Sequence, residues 1–279
     1  MAADVLRVDP GRIHVVHSDT AVTPYDQSTS SSRSTFSMGN AVRQAAGEVR
    51  DQLAAMAAKA LEVASEEVVL DDGHAHPRGA PSRRLSYAAV FRHRFGMGVG
   101  SLVGRGLFKT EGGLDPETGQ GKASAFWFSS AGGCEVEVDT ETGVVTVLKY
   151  VAAVNAGKVI NPRLAEGQVE GSVLCALGHT FYEEMLYGEG NLLNPNFMDY
   201  RLPTAFEMPR TVKTILLEDP HPDGPLGAIG IGETAIAPVA PAVANAVYRA
   251  CGVRIYDLPI TPEKVLRGLR AQAGARTGA

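Results

Sequence analysis

Residues 134–149 decide the fold class: Cys134-Glu-Val-Glu-Val-Asp139, then Thr140-Glu-Thr-Gly143, then Val144-Val-Thr-Val-Leu-Lys149. Apolar and polar residues alternate on both sides of a short polar turn ending in glycine. A period of two turns one face of each segment inward, so the pattern predicts an antiparallel β-hairpin. Downstream, Gly167 to Leu186 places Val169, Val173, Leu177, Phe181 and Met185 on one helical stripe. Residues 188–211 are turn-rich, with Asn194-Pro195 and Met208-Pro209, and Thr211 to Leu217 reads as a strand. Pro241 to Ala250 reads as a helix, with proline in its first turn and Gly252 as its stop. Thr261-Pro262-Glu263 opens a last helix with a capping threonine, a first-turn proline and an early acid. The tail after about Arg270 is expected to fray.

Upstream, residues 2–8 read as the end of a helix and Arg12-Ile-His-Val-Val-His17 as a short strand. A polar loop rich in serine and threonine follows, from Asp19 to Thr35. A long amphipathic helix is predicted from about Met38 to Ala64, with Val42, Ala45, Ala46, Val49, Leu53, Met56 and Ala60 on one face. Asp71-Asp72-Gly73 reads as a hairpin turn after Val68-Val69-Leu70. Ser86 to Arg94 reads as a short helix, and the glycine-rich residues 96–123 as a connection between lobes. Hairpins and helices mix without regular βαβ alternation or an internal repeat. This predicts an α+β fold of mixed sheets packed by helices, with a partial lobe over residues 1–110 and a C-terminal lobe over 111–279.

The 279 residues are 44% hydrophobic and 20% charged with net charge −5, an ordinary globular composition. Mild acidity and the lack of a basic stripe argue against a nucleic-acid partner. No apolar run approaches the roughly 18 residues of a membrane helix, and the N-terminus shows no secretory signal. Cys134, Cys175 and Cys251 lie far apart. They are expected to be reduced thiols of a cytoplasmic protein, too scattered to hold an iron–sulfur cluster.

Three segments carry candidate chemistry. Gly230-Ile-Gly-Glu233 sets a carboxylate on a glycine-hinged loop ahead of an alanine-rich helix. Glycine lets such a loop approach a reacting centre, and a positioned glutamate is a common general base; on spacing alone the same acid reads first as one complementing a helix dipole. Ser28-Thr-Ser-Ser-Ser-Arg-Ser-Thr35 offers short hydroxyl side chains and backbone amides near a helix start, which suits an anion. It reads also as a flexible linker. Gln168 offers a donor and an acceptor for a cofactor's polar edge, or a helix-capping amide. Other residues read as structural. His14 and His17 face opposite sides of their predicted strand, and His74 and His76 make a weak metal pair. Glu183 and Glu184 fit a solvated helix face, and Phe126, Trp127 and Phe128 fit core or interface.

Taken in order, these segments resemble the molybdenum hydroxylases, the family of xanthine dehydrogenase, aldehyde oxidase and carbon monoxide dehydrogenase. The resemblance rests on the serine loop, the Val-Asp-x-x-Thr-Gly turn and Asn155-Ala-Gly-Lys-Val-Ile-Asn-Pro162. It continues through Gly167-Gln-Val-Glu-Gly171, the Gly230–Glu233 loop, Pro241-Ala-Val-Ala-Asn-Ala-Val247, Gly252-Val-Arg254 and Leu258-Pro-Ile-Thr-Pro-Glu263. It implies that Glu233 is the catalytic base beside molybdenum and that Ser31 and Ser32 lie nearest the metal centre. Ser30 and Arg33 would flank them, and Gln168 and Gly232 would lie against the cofactor. The metal would be held through the pterin, with no direct side-chain ligand.

The resemblance covers the C-terminal part of a molybdopterin-binding subunit. The family's Gly-Gly-x-Phe-Gly loop, Gly-Gln-Gly loop and N-terminal lobe have no counterpart here. Met1-Ala-Ala-Asp-Val-Leu-Arg-Val8 resembles the segment just after that Gly-Gln-Gly loop. The expectation is one subunit of a split oxidoreductase, a hetero-oligomer completed by a chain carrying the N-terminal half. The implied cofactor is molybdenum–molybdopterin, as a cytosine dinucleotide, with [2Fe–2S] and FAD on partner subunits. The implied reaction is hydroxylation, with water-derived oxygen, of an electron-poor carbon in an N-heterocycle, purine or aldehyde. A non-catalytic or truncated subunit is the alternative. The chain departs from the family at Asn155, where an aspartate is usual, and at Ile229, where a basic residue is common.

Overall fold

The computed structural model describes residues 1–27, 29–98 and 100–277, and the chain divides into two compact units. The first comprises residues 1–125 and 222–227. It opens with the short helix α1 (Ala2–Leu6), closed by Arg7 in the left-handed region. The predicted strand at Arg12–His17 does not form. Pro10–Arg12 is a 3-10 turn capped by the Asp9 carboxylate, and Val15 and Val16 are exposed and pair with no strand among the described residues.

The long helix α2 (Ser34–Leu61) starts a turn earlier than its apolar stripe suggests, because Phe36 is already buried in that first turn. It ends at Glu62 in the left-handed region, and the Val63 amide bonds back to the Ala58 carbonyl. The strands β1 (Val68–Asp71) and β2 (His74–Pro77) pair antiparallel about Asp72 and Gly73. Both turn residues have positive φ, as a two-residue hairpin requires. A short β3 (Leu85–Ser86) extends the sheet, and α3 (Tyr87–Phe95) is capped by the Ser86 hydroxyl. Leu53, Ala57, Leu61, Ala75 and Val90 form the core of this unit, with Leu102 packed against it. The glycine-rich connection carries one minimal ladder, β4 (Gly113–Leu114) with β5 (Gly121–Lys122).

The second unit comprises residues 126–221 and 228–279. Its hairpin is the one read from residues 134–149, extended at both ends into β6 (Ser130–Val138) and β7 (Val145–Asn155). From β7 the chain enters α4 (Pro162–Phe181), passes the small ladder β8 (Tyr187–Gly188) and β9 (Asn191–Leu192), and returns as β10 (Thr211–Leu217). β10 pairs parallel to β7, giving a sheet of order β10-β7-β6 with α4 as crossover. Then follow α5 (Val239–Cys251), stopped by Gly252 in the left-handed region, and α6 (Pro262–Thr277). The helix thus runs on past Arg270, where fraying was expected.

The core of this unit gathers Tyr150 and Val154 of β7, Val169, Val173 and Leu177 of α4, and Val239, Val243 and Val247 of α5. α4 begins before the glycine read as its start because Asn161-Pro162 supplies both a side-chain cap and a first-turn proline. It stops at Phe181, so Met185 lies beyond the helix and is exposed. The early stop also corrects the solvated reading of Glu183. Its side chain is only 10% exposed and accepts a hydrogen bond from the Tyr200 hydroxyl at 2.8 Å. Phe126 is buried whereas Trp127 is 77% exposed, so the tryptophan is not a core residue.

Candidate functional site

In the second unit the Glu233 loop leaves the C-terminal ends of the two parallel strands. β7 ends at Asn155, whose side-chain oxygen accepts from the Gly157 amide at 2.9 Å. The departure from aspartate at this position keeps an acceptor. Ala156 joins the strand ends: its amide donates to the Leu217 carbonyl, and its carbonyl accepts from the Ile229 amide. Ile229 is buried together with Ala228 and Gly230.

Beyond Gly230 two hydroxyls fasten the backbone. Ser172 of α4 donates to the Gly232 carbonyl at 2.8 Å. Ser130 of β6 donates to the Thr234 carbonyl at 2.7 Å. Thr234 and Ala235 are fully buried, while Glu233 between these fastenings is exposed. The Glu233 carbonyl accepts from the Ile236 amide in a tight turn. Glu233 therefore sits exposed on a fastened backbone.

This geometry bears on the helix-dipole reading of Glu233. α5 begins at Val239 with Pro238 as its N-cap and has no acid in its first turn. A macrodipole acts within the first turn, so Glu233 is not the acid that complements this one. The helix-capping reading of Gln168 fails in the same way. The capping acceptor of α4 is Asn161, which takes the Leu164 amide at 3.1 Å, and Gln168 lies further along the helix on its exposed side. It stands one turn before Ser172, so the two share a helix face. Gln168, Gly232 and Glu233 are thereby related through α4. Neither Ser172 nor Ser130 was singled out from sequence, since a serine in a helix or at a strand start carries no distinctive pattern.

The serine loop belongs to the first unit. Ser28 lies outside the described residues. Ser30 to Arg33 forms a tight turn closed by the Arg33 amide on the Ser30 carbonyl, 3.0 Å. Ser31 and Ser32 both have positive φ, at 49° and 53°, a conformation seldom adopted by residues other than glycine. The turn leads directly into α2, whose N-cap, Arg33, makes no side-chain cap bond. Instead the Arg33 guanidinium donates to the Gln27 carbonyl at 2.9 Å and lies 3.8 Å from Asp26. The segment is thus a structured turn with short hydroxyl side chains at the positive end of a long helix. Anionic, oxygen-rich groups suit such a place.

Comparison with known proteins agrees with this architecture. Residues 1–209 match the model of the molybdopterin cofactor-binding domain. A probable hypoxanthine oxidase of Escherichia coli K12 is 34% identical over 273 residues, covering 96% of this chain and 27% of that protein. The nicotine 6-hydroxylase large subunit of Paenarthrobacter nicotinovorans is 34% identical over 278 residues, covering 97% of this chain and 33% of that one. Among solved structures, quinoline 2-oxidoreductase from Pseudomonas putida 86 superposes with a TM-score of 0.80 at 29% identity, over 96% of this chain and 34% of the other. Carbon monoxide dehydrogenase from Oligotropha carboxidovorans gives 0.74 at 28% identity, over 92% and 31%. The chain spans about a third or less of the length of these relatives. By sequence match and by fold, it belongs to the molybdenum hydroxylase family, as part of the molybdopterin cofactor-binding domain.

Proposed function

We propose that this chain is the catalytic-base half of a molybdenum hydroxylase site, acting on an electron-poor carbon with oxygen derived from water. The observation that carries the reading is Glu233 itself. It is a carboxylate outside any helix turn, on a backbone fastened by Ser172 and Ser130 and exposed at the carboxyl end of a parallel strand pair. A base must be fixed and reachable, and both conditions hold.

The residues present fit the cofactor. Ser30, Ser31, Ser32 and Arg33 supply hydroxyls and amides suited to its anionic side, and Gln168 supplies an amide for the pterin edge. Gly232, without a side chain, leaves room beside Glu233. When bound, the molybdenum–pterin group supplies the two-electron redox chemistry. Glu233, ionised, accepts the proton of the water-derived nucleophile at a carboxylate oxygen as that nucleophile meets the substrate carbon. The fastened backbone keeps that oxygen in place during the transfer.

The relatives extend well beyond the stretch that this chain covers, and the reading proposed here is that a partner chain carrying the N-terminal half of the domain supplies the remainder of the cage. [2Fe–2S] and FAD on further subunits complete the electron path, and the cofactor is taken as a cytosine dinucleotide. The names of the relatives support a multi-subunit setting, since one is a large subunit and another is subunit gamma of a 6-hydroxypseudooxynicotine dehydrogenase complex. Hypoxanthine, nicotine and quinoline, named in three of the relatives, are N-heterocycles with electron-poor carbons; purines, other N-heterocycles and aldehydes form the substrate class to assay.

The test is Glu233→Gln in the assembled complex. Turnover should fall by roughly 10²- to 10⁴-fold, the scale of a lost general base. Molybdenum and pterin content should match the unaltered protein. Near-normal turnover would refute the role of Glu233. An unaltered complex that holds cofactor but turns over none of these substrates would favour a non-catalytic subunit.

A further inference from the structure

Residues 102–108 run extended along α2 toward its N-terminus, and their two sides do different work. The odd residues hydrogen-bond to polar side chains of the helix. The Val103 carbonyl accepts from Gln52 at 2.9 Å, the Arg105 amide donates to Glu48 at 2.7 Å, and the Leu107 amide donates to Gln44 at 3.2 Å. Gln44, Glu48 and Gln52 are one turn apart, so a single helix face supplies all three clips. The even residues face the helix. Leu102 packs on the core around Leu53, and a Cβ on Gly104 or Gly106 would strike the Ala45 or Ala41 carbonyl. Phe108 sets its ring on Phe36, with centroids 5.8 Å apart at 69°, edge to face.

The side-chain choice is informative. The two large side chains that turn inward, Leu102 and Phe108, stand at the ends of the segment. Between them the two glycines face the helix while Leu107 is 88% exposed. Close backbone approach and register along α2 are what this sequence secures, and the register ends at Phe36. That residue is 2% exposed and lies in the first turn of α2, directly after the Ser30–Arg33 turn. The same turn is held on its other side by the Arg33 guanidinium on the Gln27 carbonyl and by Ser34 on Thr29 at 3.3 Å. Helix ends fray first, and a turn joined to a fraying end would share its motion.

We propose that residues 102–108 are a strap that fixes the Ser30–Arg33 turn for its ligand, with Phe108 and the pair Gly104 and Gly106 as positioning residues. The ligand half of this inference rests on the proposed cofactor role of the turn. The positioning half does not. The role assigned to Phe108 is indirect: it acts through Phe36.

Hydrogen exchange on the full chain, followed by mass spectrometry, tests the positioning half. Phe108→Ala should speed exchange of the amides of residues 31–37 by about tenfold, with the 239–251 helix unchanged as the internal control. Phe108→Leu should restore most of the protection. Glu48→Ala should speed the same amides, and Glu48→Gln, which keeps an acceptor for Arg105, should not. Unchanged exchange at 31–37 in a folded Phe108→Ala chain would overturn the strap. If that variant does not fold, equal exchange in Glu48→Ala and the unaltered chain would do so. The second readout is molybdenum and pterin per assembled complex, expected to fall about fivefold in Phe108→Ala and recover in Phe108→Leu. Faster exchange with full cofactor content would overturn positioning for the ligand. An unaltered complex without molybdopterin would instead refute the cofactor reading of the turn and leave the exchange result to decide the strap.

Discussion

The Ser172 hydroxyl donates to the Gly232 carbonyl at 2.8 Å, tying the backbone beside Glu233 to the helix that also carries Gln168. Ser172 is itself buried, so removing its hydroxyl leaves a carbonyl short of its partner. Ser172→Ala should cost about 1 kcal/mol in urea unfolding, the usual net worth of such a bond. In the assembled complex it should lower turnover several-fold without changing cofactor content. Ser172→Thr, which keeps the hydroxyl, should lie closer to the unaltered protein in turnover. Equal turnover in all three would separate this bond from the function of the loop.

Tyr150 presents the opposite case. It is fully buried in the centre of the sheet, and its hydroxyl has no hydrogen-bond partner among the described residues. Burial pushes the phenol up to about 12. Tyr150→Phe should therefore be neutral or stabilising by up to about 1 kcal/mol. The folded pKa lies above the unfolded value near 10, so the neutral phenol's contribution is present below pH 10 and is lost as pH rises toward 12. The phenylalanine variant should lose less stability across that window, measured by denaturant midpoint at each pH. Gly132→Ala should go the other way, because its Cβ would meet the Tyr150 hydroxyl. Such overpacking typically costs about 1–3 kcal/mol, and pairing it with Tyr150→Phe should recover part of the loss.

The loop after β9 is stiffened by a capping box. Glu207 accepts from the Thr204 hydroxyl and amide at 2.6 Å and 2.7 Å and from Arg201 at 2.9 Å. These bonds, those to Thr204 foremost, lower its carboxyl from 4.5 to about 2. The folded pKa is depressed, so the stabilisation is complete above pH 4.5 and is lost as pH falls toward 2. The Thr204 amide resonance should titrate within that window. Glu207→Gln should abolish the transition, and a midpoint near 4.5 in the unaltered chain would contradict the capping box.

Gly252 ends α5 with φ 76° and donates its amide to the Tyr248 carbonyl at 2.8 Å. Gly252→Ala forces a Cβ into that conformation and should cost about 1 kcal/mol in thermal or urea unfolding. No measurable change would mean that the helix end can adopt another closure.

Legibility from sequence followed locality. The 134–149 hairpin, the Asp72–Gly73 turn, β10 and the Gly252 stop depend on neighbours a few residues apart, and each was readable. Arg12–His17 alternates as a strand does, but pairing needs a second chain segment, which local pattern cannot reveal. Glu183 looked solvated because its burial depends on Tyr200, well downstream. At the candidate site the glycine-flanked acid and the serine turn were conspicuous in composition. Ser172 and Ser130 were not, since their work is on carbonyls 60 and 104 residues away.

The parallel join of β7 and β10 has one more implication. Ala156 bonds to both Leu217 and Ile229, so the stretch leading to Glu233 hangs from the ends of the paired strands β7 and β10. The conformational entropy of that stretch is spent during folding, leaving less to lose when a guest arrives. For the base proposed at Glu233, such a mounting amounts to preorganisation: affinity and rate would then depend on what is brought to it, and little on its own rearrangement.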